Sequence, residues 1–544
     1  MDAFIDTLRE TMTLEHAAAL EACLRCGNCG TACAWVLETG DAELHPLRRV
    51  ELLRDVYRRF LTWEGRVFGR AWAATQAREK VFEKREAFWK CTACGRCTLA
   101  CPLGISQRGL FRWARNAYSA SDLGPPHPIR QAIADNTRLF SHSFGVSRER
   151  VFLLLGAFFA AHEIEAPVDA PGAEYLLVFP TVDAYRFPNH LYKLFALLNA
   201  MGVRYTGSSR VVDLGTEVDH VLVDHKLSER MLCAVEAEAE RLGVRKLIVP
   251  ECGCDVRTFF MDASRILGRP LRVAVESVDV LLRDAIAVGS LPVHPIERTV
   301  TLHDPCQVTR LSGLGQVARD ILAMIASRFV EMTPNREDNY CCNGSSGPLR
   351  LVENTDLRRR VSRLKAQQIR NTGAECVVTP CAICTLSLTD ICDHYGLSKG
   401  EPMVRILYDL IYEAVYPALC EAGRENACSL PAVLVGQSEE TIAQYSLSGV
   451  CALLEESGDI EAHWRWVSEQ PPVQRSGIVL RRPGERSEKR RRHVPSVASL
   501  LPTREPGLDD RVRHLPCGDR HRSSNLRCQF VSARRSLCVR NAGP

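Results

Sequence analysis

Three features that would assign this chain to a common class are missing. No apolar run reaches the roughly 20 residues of a membrane-spanning helix, and the best run, residues 151–161, predicts a buried helix. Residues 1–20 carry acidic side chains where a secretory signal needs positive charge, so they predict an amphipathic helix. No GxGxxG turn follows a predicted strand, which excludes a dinucleotide site.

Excess charge is also missing, because the formal net charge is only +4 over 544 residues. A nucleic-acid-binding protein concentrates basic side chains, so no nucleic-acid partner is predicted. Residues 418–544 differ in composition, with Lys489 as their one lysine and an arginine run at 481–493. This composition predicts that the tail, residues 418–544, is solvated and disordered. An anionic-lipid or nucleic-acid patch and translation in a wrong reading frame are the alternatives.

Cysteine, in contrast, is abundant: the chain has 24, most of them in tight groups. Without a secretory signal, cysteines grouped in this way favour metal binding over disulfides. The number of residues between the cysteines of each group then indicates which kind of metal site the group forms.

Two groups near the N-terminus have the spacing C-x2-C-x2-C-x3-C, and the second is followed by Pro102. This is the bacterial ferredoxin run, whose fourth cysteine binds the other cluster in two-cluster proteins. Ala34 replaces the proline after the first run, which removes no ligand. Zinc is the alternative, but zinc sites usually use two CxxC pairs. We assign Cys23, Cys26, Cys29 and Cys101 to one [4Fe–4S] cubane, and Cys91, Cys94, Cys97 and Cys33 to the other.

A third group of cysteines is spread over three predicted loops. Cys306 lies in the sequence HDPC, the pair Cys341–Cys342 follows, and Cys381-x2-Cys384 comes last. Adjacent cysteines are poor partners for one zinc or one plain cubane. Five soft thiolates predict a larger or irregular iron–sulfur site.

Short apolar runs alternate with helical stretches over residues 173–417, which predicts parallel sheets. Predicted strands cover 175–179, 221–223, 246–249, 300–302 and 375–379, and predicted helices include 228–242 and 356–372. KLIVPECGC at 246–254 aligns with ECVVTPCAIC at 375–384, and YLLVFPT at 175–181 with VTLHDPC at 300–306. The region is therefore predicted to contain two copies of one unit.

These motifs resemble the CCG-domain family, in which C…CCG-like…CxxC occurs in heterodisulfide reductase catalytic subunits. Asn343 after the cysteine pair is a small departure from that pattern. The resemblance implies an α+β fold: a helical two-cluster ferredoxin-like domain at 1–120, a connector at 121–172, a degenerate CCG-type repeat at 173–290, a complete catalytic repeat at 291–417 and the tail at 418–544.

The resemblance is closest to the DsrK family, the iron–sulfur subunits of the membrane complex linked to dissimilatory sulfite reductase. It rests on ETGDAELHPLRRVELLRDVYRR, CTACGRCTLACPLGI and PECG, and it covers roughly residues 15–415. In the first repeat, Thr181 and Glu251 stand where the second has Cys306 and Cys381, while Cys254 matches Cys384. Cys252 and Cys254 are either core thiols or residues lining the catalytic site.

By this resemblance, Cys306, Cys341, Cys342, Cys381 and Cys384 bind a non-cubane [4Fe–4S] cluster that cleaves disulfides, beside the two cubanes. His303 either donates a proton to a leaving thiolate or is satisfied by local hydrogen bonds. Cys376 and Cys392 are expected in the core.

The implied partners are a membrane haem b protein serving the quinone pool and a small sulfur-carrier protein resembling DsrC. The implied location is cytoplasmic, held at the inner face of the membrane by those partners. The alternative function is an electron-transfer subunit of a glycolate or glycerol-3-phosphate dehydrogenase-type flavoenzyme, which the same motifs resemble. A third alternative uses the metals for folding alone.

Overall fold

The structure, a computed structural model, describes residues 2–68, 74–143, 167–178, 182–183, 187–250, 252–398 and 403–422. Helices and two parallel sheets confirm the α+β class. The predicted helix at 151–161 and nearly all of the predicted tail lie outside the described residues, as do Thr181 and Glu251.

The first 140 residues form helices only, in the part of them that the structure describes, and these helices wrap around the two ferredoxin-type cysteine runs. Local signals place several helix starts: the Thr13 side chain forms a capping box with His16, and Ser106 caps the helix after the second run. The helices are α1 (Asp2–Glu10), α2 (Leu14–Ala22), α3 (Asn28–Thr31), α4 (Ala34–Thr39), α5 (Pro46–Val56), α6 (Trp63–Phe68), α7 (Ala74–Glu83), α8 (Arg85–Lys90), α9 (Arg96–Leu99), α10 (Gln107–Ser119), α11 (His127–Ile129) and α12 (Asn136–Phe140).

Helix α10 is almost entirely buried, since nearly every one of its side chains is inaccessible to solvent. Its apolar face packs against α1 and α8, where Phe4, Phe88 and Tyr118 form tilted ring pairs. Its polar face carries three buried arginines, Arg108, Arg112 and Arg115. Those cations point toward the sheet region, which links the two parts of the chain.

Residues 175–406 form two four-stranded parallel sheets with the same strand order. The first has the order β2-β1-β3-β4 and the second β6-β5-β7-β8. Tyr175 pairs with Lys246 in the first, as Val300 pairs with Cys376 in the second, which matches the predicted alignment of the repeats. The strands are β1 (Tyr175–Leu177), β2 (Tyr205–Thr206), β3 (Lys246–Val249), β4 (Ala274–Ser277), β5 (Ile296–Leu302), β6 (Ala326–Val330), β7 (Cys376–Thr379) and β8 (Val404–Ile406).

Helices cover the sheets, as expected for parallel strands joined by crossovers. In chain order they are α13 (Pro188–Ala200), α14 (His225–Arg241), α15 (Gly253–Arg257), α16 (Ala263–Leu267), α17 (Val278–Ala287), α18 (Thr309–Ser312), α19 (Gly315–Ile325), α20 (Thr355–Val361), α21 (Arg363–Thr372), α22 (Ala382–His394) and α23 (Leu407–Glu421). The predicted helix at 356–372 is thus two helices that meet at Ser362.

One predicted strand, residues 221–223, is wrong, because Val218–Leu222 is a π-helical turn. Tertiary contacts explain the difference. Arg112 donates to the Asp219 carbonyl at 3.0 Å, and His220 is hydrogen-bonded to the Ser345 hydroxyl at 2.7 Å. These contacts hold the turn against α10 and the second repeat, and they override the β-propensity of the valines.

The described residues fall within one compact unit that spans residues 1–501. No described helix combines the length and apolarity required to cross a bilayer.

Candidate iron–sulfur sites

The two ferredoxin-type runs fold into loops of the same backbone conformation. Arg25 and Ala93 occupy equivalent left-handed positions with φ of 58° and 51°, and Gly27 and Gly95 follow with φ of 81° and 80°. Left-handed backbone turns the loop sharply, so the three thiols of each run converge on its inside. An amide also points inward, since Ala93 N–H donates to Cys91 Sγ at 3.3 Å.

The first cavity is lined by Cys23, Cys26, Cys29 and Cys101, the predicted set that takes its fourth thiol from the other run. Burial, with the neighbouring thiols, raises the pKa of Cys29. Four thiols grouped around one cavity are the donor set that a soft metal cluster holds as thiolates. The residues therefore fit an iron–sulfur cluster.

The second cavity is lined by Cys33, Cys91, Cys94 and Cys97, and it also reaches Cys341 of the third group. Burial raises the pKa of Cys33 to about 11 and lifts the pKa of Cys97 well above its usual range. Unlike Cys26, which is exposed, these four residues are partly buried. The second site is thus the inner of the two.

The third group assembles where parallel strands end. Cys306 follows β5, and Cys381 and Cys384 stand at the start of α22 after β7, so neighbouring strands deliver them to one edge of the sheet. Cys342 Sγ lies 3.4 Å from Cys384 Sγ. The structure brings all five predicted cysteines into one buried cluster: Cys306, Cys341, Cys342, Cys381 and Cys384.

Backbone amides point at these sulfurs as well. Asn343 N–H donates to Cys341 Sγ at 3.3 Å, and Cys384 N–H donates to Cys381 Sγ at 3.4 Å. Asn343 has φ of 59°, a conformation that asparagine tolerates better than most residues. The departure from the CCG pattern therefore keeps the turn that glycine would make.

His303 is fully buried beside this cluster, and burial lowers its pKa. One of its ring nitrogens and the sulfurs of Cys342 and Cys384 all lie within 4.8 Å of one another. The side-chain amide of Asn339 is 3.5 Å from Nδ1, whereas Nε2 has no hydrogen-bond partner among the described residues. The ring is therefore not fully satisfied by local hydrogen bonds.

The second and third groups are in direct contact. The thiols of Cys94 and Cys341 lie within hydrogen-bonding range, and this bond lowers the pKa of Cys94. Gln307 spans the same junction, donating to the Ala93 carbonyl and to Cys306 Sγ, each at 3.4 Å. Arg310 donates to the Cys94 carbonyl at 2.6 Å. The two donor sets therefore adjoin each other.

Two buried arginines of α10 lie at this junction without a carboxylate partner among the described residues. Arg108 donates to the Ala93 carbonyl at 2.9 Å and to Gln307 Oε1 at 3.3 Å. Arg115 donates to the Cys91 carbonyl and to Ser346 Oγ, both at 2.6 Å. Burial lowers the pKa of both side chains. Buried cations need negative charge nearby, and thiolate-bound clusters supply it.

Replacing Arg108 with methionine should lower the reduction potential of the second cluster, because a nearby positive charge favours the reduced form. The expected loss is on the order of 1–2 kcal/mol, roughly 40–90 mV for one electron. An EPR-monitored redox titration measures it. Arg108→Lys keeps the charge and should stay near the unmodified value, so equal shifts in both variants would contradict a charge effect.

Sequence reasoning did not identify Arg108, Gln307 or Lys365. Lys365 is fully buried and donates to Asn339 Oδ1 at 2.6 Å, and burial lowers its pKa to about 7. Nothing in the spacing around these residues distinguishes them from surface residues.

Comparison with known proteins agrees with this geometry. Residues 19–105 match the family described as a 4Fe-4S dicluster domain, and residues 300–389 match the one described as a cysteine-rich domain (CCG). The fold and the cysteine groups define an iron–sulfur oxidoreductase subunit that resembles the heterodisulfide reductase-like subunits.

Individual relatives are similar over most of the chain. The Hdr-like menaquinol oxidoreductase iron-sulfur subunit of Archaeoglobus profundus is 26% identical, covering 76% of this chain and 84% of the relative. A subunit of the dihydromethanophenazine:CoB--CoM heterodisulfide reductase of Methanosarcina barkeri is 24% identical, covering 76% and 97%. A subunit of the fumarate reductase (CoM/CoB) of Methanothermobacter marburgensis is 26% identical, covering 60% and 62%.

Proposed function

We propose that this chain passes electrons between a membrane quinone- or haem b-linked partner and a disulfide or trisulfide on a small sulfur-carrier protein, as DsrK-like proteins do with DsrC. The two cubanes would be bound by the sets that end in Cys101 and Cys33, and a non-cubane cluster by the five thiols of the third group. The protein would be held at the inner face of the cytoplasmic membrane by its partners.

The junction of the second and third donor sets carries this proposal, because the cavity lined by Cys94 also reaches Cys341, and Gln307 bridges Ala93 and Cys306. A ferredoxin domain that only exports electrons needs no thiol contact with a second cysteine group. Here the inner ferredoxin-type set touches the third set, while the outer set reaches the surface through Cys26. This order supports electron entry at the first site and use at the third.

The outer site has the features of a docking surface for an electron donor. Leu24 is 72% exposed and Leu103 is 50% exposed, and both line the cavity that holds Cys26. Large exposed apolar side chains beside a redox site favour association with a protein partner. The membrane partner would therefore bind here, on the side away from the third site.

At the third site, the bound cluster would supply iron that accepts a sulfur ligand and electrons one at a time. The protein's own residues fix the surroundings. Gln307 orients Cys306 through its amide, and Lys365 and Arg108 balance the negative charge of the thiolates. His303 places its ring beside Cys342, where an imidazole N–H is able to donate to sulfur.

EPR of anaerobically prepared protein tests the proposal. A reduced sample should show the signals of the reduced cubanes, and a separate thiol-treated oxidised sample should show a further paramagnetic signal. Cys341→Ser should abolish that signal, and Cys26→Ser should leave it intact, because Cys26 belongs to the remote outer set. Cys26 is a better control than Cys94, which touches Cys341. Reduced-cubane signals alone would refute a disulfide-cleaving site.

The electron-relay alternative is favoured by a separate observation. A relative at 23% identity, covering 59% of this chain and 45% of its own length, is the EtfAB:quinone oxidoreductase of Syntrophomonas wolfei. In that case the chain would transfer electrons for a flavoprotein and cleave no disulfide. If the protein reduces no disulfide but a flavoprotein rapidly reduces its cubanes, the electron-relay function is the correct one.

A further inference from the structure

The first repeat contributes to the third site, although its own cysteine motif is incomplete. Cys252 and Cys254 flank Gly253 in the loop after β3, which is the counterpart of the Cys381–Cys384 loop after β7. Cys254 matches Cys384, and Cys252 comes one residue after the counterpart of Cys381. Both thiols are buried in the same cluster as the five predicted cysteines. The carboxyl ends of β3 and β7 therefore meet, and the two loops face each other.

Three contacts join these loops. Gly253 N–H donates to Cys381 Sγ at 3.4 Å. The Cys252 thiol lies within hydrogen-bonding range of both Cys381 and Cys254. Gly253 has no side chain, and an added Cβ would lie 3.2 Å from Gln307 Cβ and 3.6 Å from Cys381 Sγ. Because glycine has no side chain, the backbone of this loop is able to lie directly against Gln307 and Cys381.

We infer that Cys252 is a sixth sulfur ligand of the third iron–sulfur site, supplied by the first repeat and positioned by Cys254. The inference rests on the third cluster of the proposed function. Two thiolates on one metal, each bonded at about 2.3 Å with tetrahedral angles, lie roughly 3.8 Å apart, so the ligand sulfurs of one site are close neighbours. The amide of Gly253 adds a donor to Cys381 from the same loop.

The cluster has more thiols than the five-cysteine motif requires. Cys376 and Cys392 are also buried, but the raised pKa of each thiol comes mainly from burial, and the further contributions come from charged side chains rather than from cysteines. Cys252 differs because two other sulfurs surround it. A structural thiol packs against carbon, whereas a ligand packs against the other ligands of its site.

Substitution with a matched control tests the inference. Cys252→Ser should shift or abolish the third-site EPR signal and lower the iron content, while the reduced-cubane signals persist. Cys392→Ser removes an equally buried thiol from α22 and should change neither the signal nor the iron content. Identical third-site spectra in the two variants would overturn the inference.

Selenocysteine at position 252 keeps the side chain's shape and removes the risk that serine merely unfolds the loop. Labelling with the spin-bearing selenium isotope should broaden the third-site signal through hyperfine coupling, and the same label at position 392 should not. An unbroadened signal at 252 would overturn the inference. A missing third-site signal in the unmodified protein would instead refute the proposed function, so the two failures are distinguishable.

Discussion

Arg112→Ala should destabilise the protein by about 3–5 kcal/mol, because it leaves a buried carboxylate without its cation. The guanidinium of Arg112 is 3% exposed and contacts Asp219 Oδ1 at 2.6 Å and Asp262 Oδ2 at 3.4 Å. Without Arg112, the carboxylate of the fully buried Asp219 still accepts a hydrogen bond from the Thr258 hydroxyl at 2.9 Å. A hydroxyl carries no positive charge, so it does not neutralise the carboxylate. Urea unfolding followed by circular dichroism measures the loss, as a lower midpoint.

Arg265→Ala is the matched control, because Arg265 also contacts Asp262, at 3.3 Å, but its side chain is 51% exposed. An exposed ion pair contributes at most about 1 kcal/mol, so this variant should unfold near the unmodified midpoint. Similar losses in the two variants would mean that the network around Asp262, rather than the buried Arg112–Asp219 pair, holds α10 against the first repeat.

Gly347→Ala should lower the free energy of unfolding almost as much. The site has no room for the alanine Cβ, and alanine does not readily adopt the φ angle of Gly347. Gly347 has φ of 127°, a region that essentially only glycine occupies, and an added Cβ would lie 2.7 Å from the Trp89 carbonyl oxygen. Trp89 belongs to α8, which leads directly into Cys91. We expect a loss of roughly 3 kcal/mol or more, from strain and overpacking together.

The same substitution should also disturb electron transfer, since the loop that carries Ser346 and Gly347 packs against the second cluster's run. Reduction of the third site through the cubanes, followed by stopped-flow absorbance, should be slower in Gly347→Ala. Gly373→Ala is the control: its φ is 63° and no described atom lies within 4 Å of an added Cβ. It should cost about 1–2 kcal/mol and leave the transfer rate unchanged.

Spacing along the chain was enough to identify the three cysteine groups and to predict that their thiols bind iron–sulfur clusters. Turns that wrap a metal cluster are local, so C-x2-C-x2-C-x3-C indicates the ligand set before any tertiary contact is known. The repeat was visible for a similar reason. In the sequence, β1, β3, β5 and β7 are each followed by a proline, and all of them except β1 by a cysteine. The equal pairing of Tyr175 with Lys246 and of Val300 with Cys376 follows from that alignment.

The sequence did not predict the residues whose conformation or role is set by contacts with distant parts of the chain. Val218–Leu222 is a π-helical turn because Arg112 and Ser345 hold it, and both lie more than a hundred residues away. Gln307 and Arg108 matter because they meet Ala93 across the junction of the helical and sheet regions. The hydrophobic periodicity of the sequence carries no information about contacts between residues so far apart in the chain.

The chain's own order of residues thus specifies which thiols are expected to bind metal, because cluster ligands are supplied by short loops. Only the tertiary structure decides how the sites connect. It places Cys94 against Cys341 and Cys252 against Cys381, and both contacts join segments more than a hundred residues apart. Such distances are set by how α10 and the two sheets pack, since burial of the apolar faces and of the arginine network is a property of the whole fold.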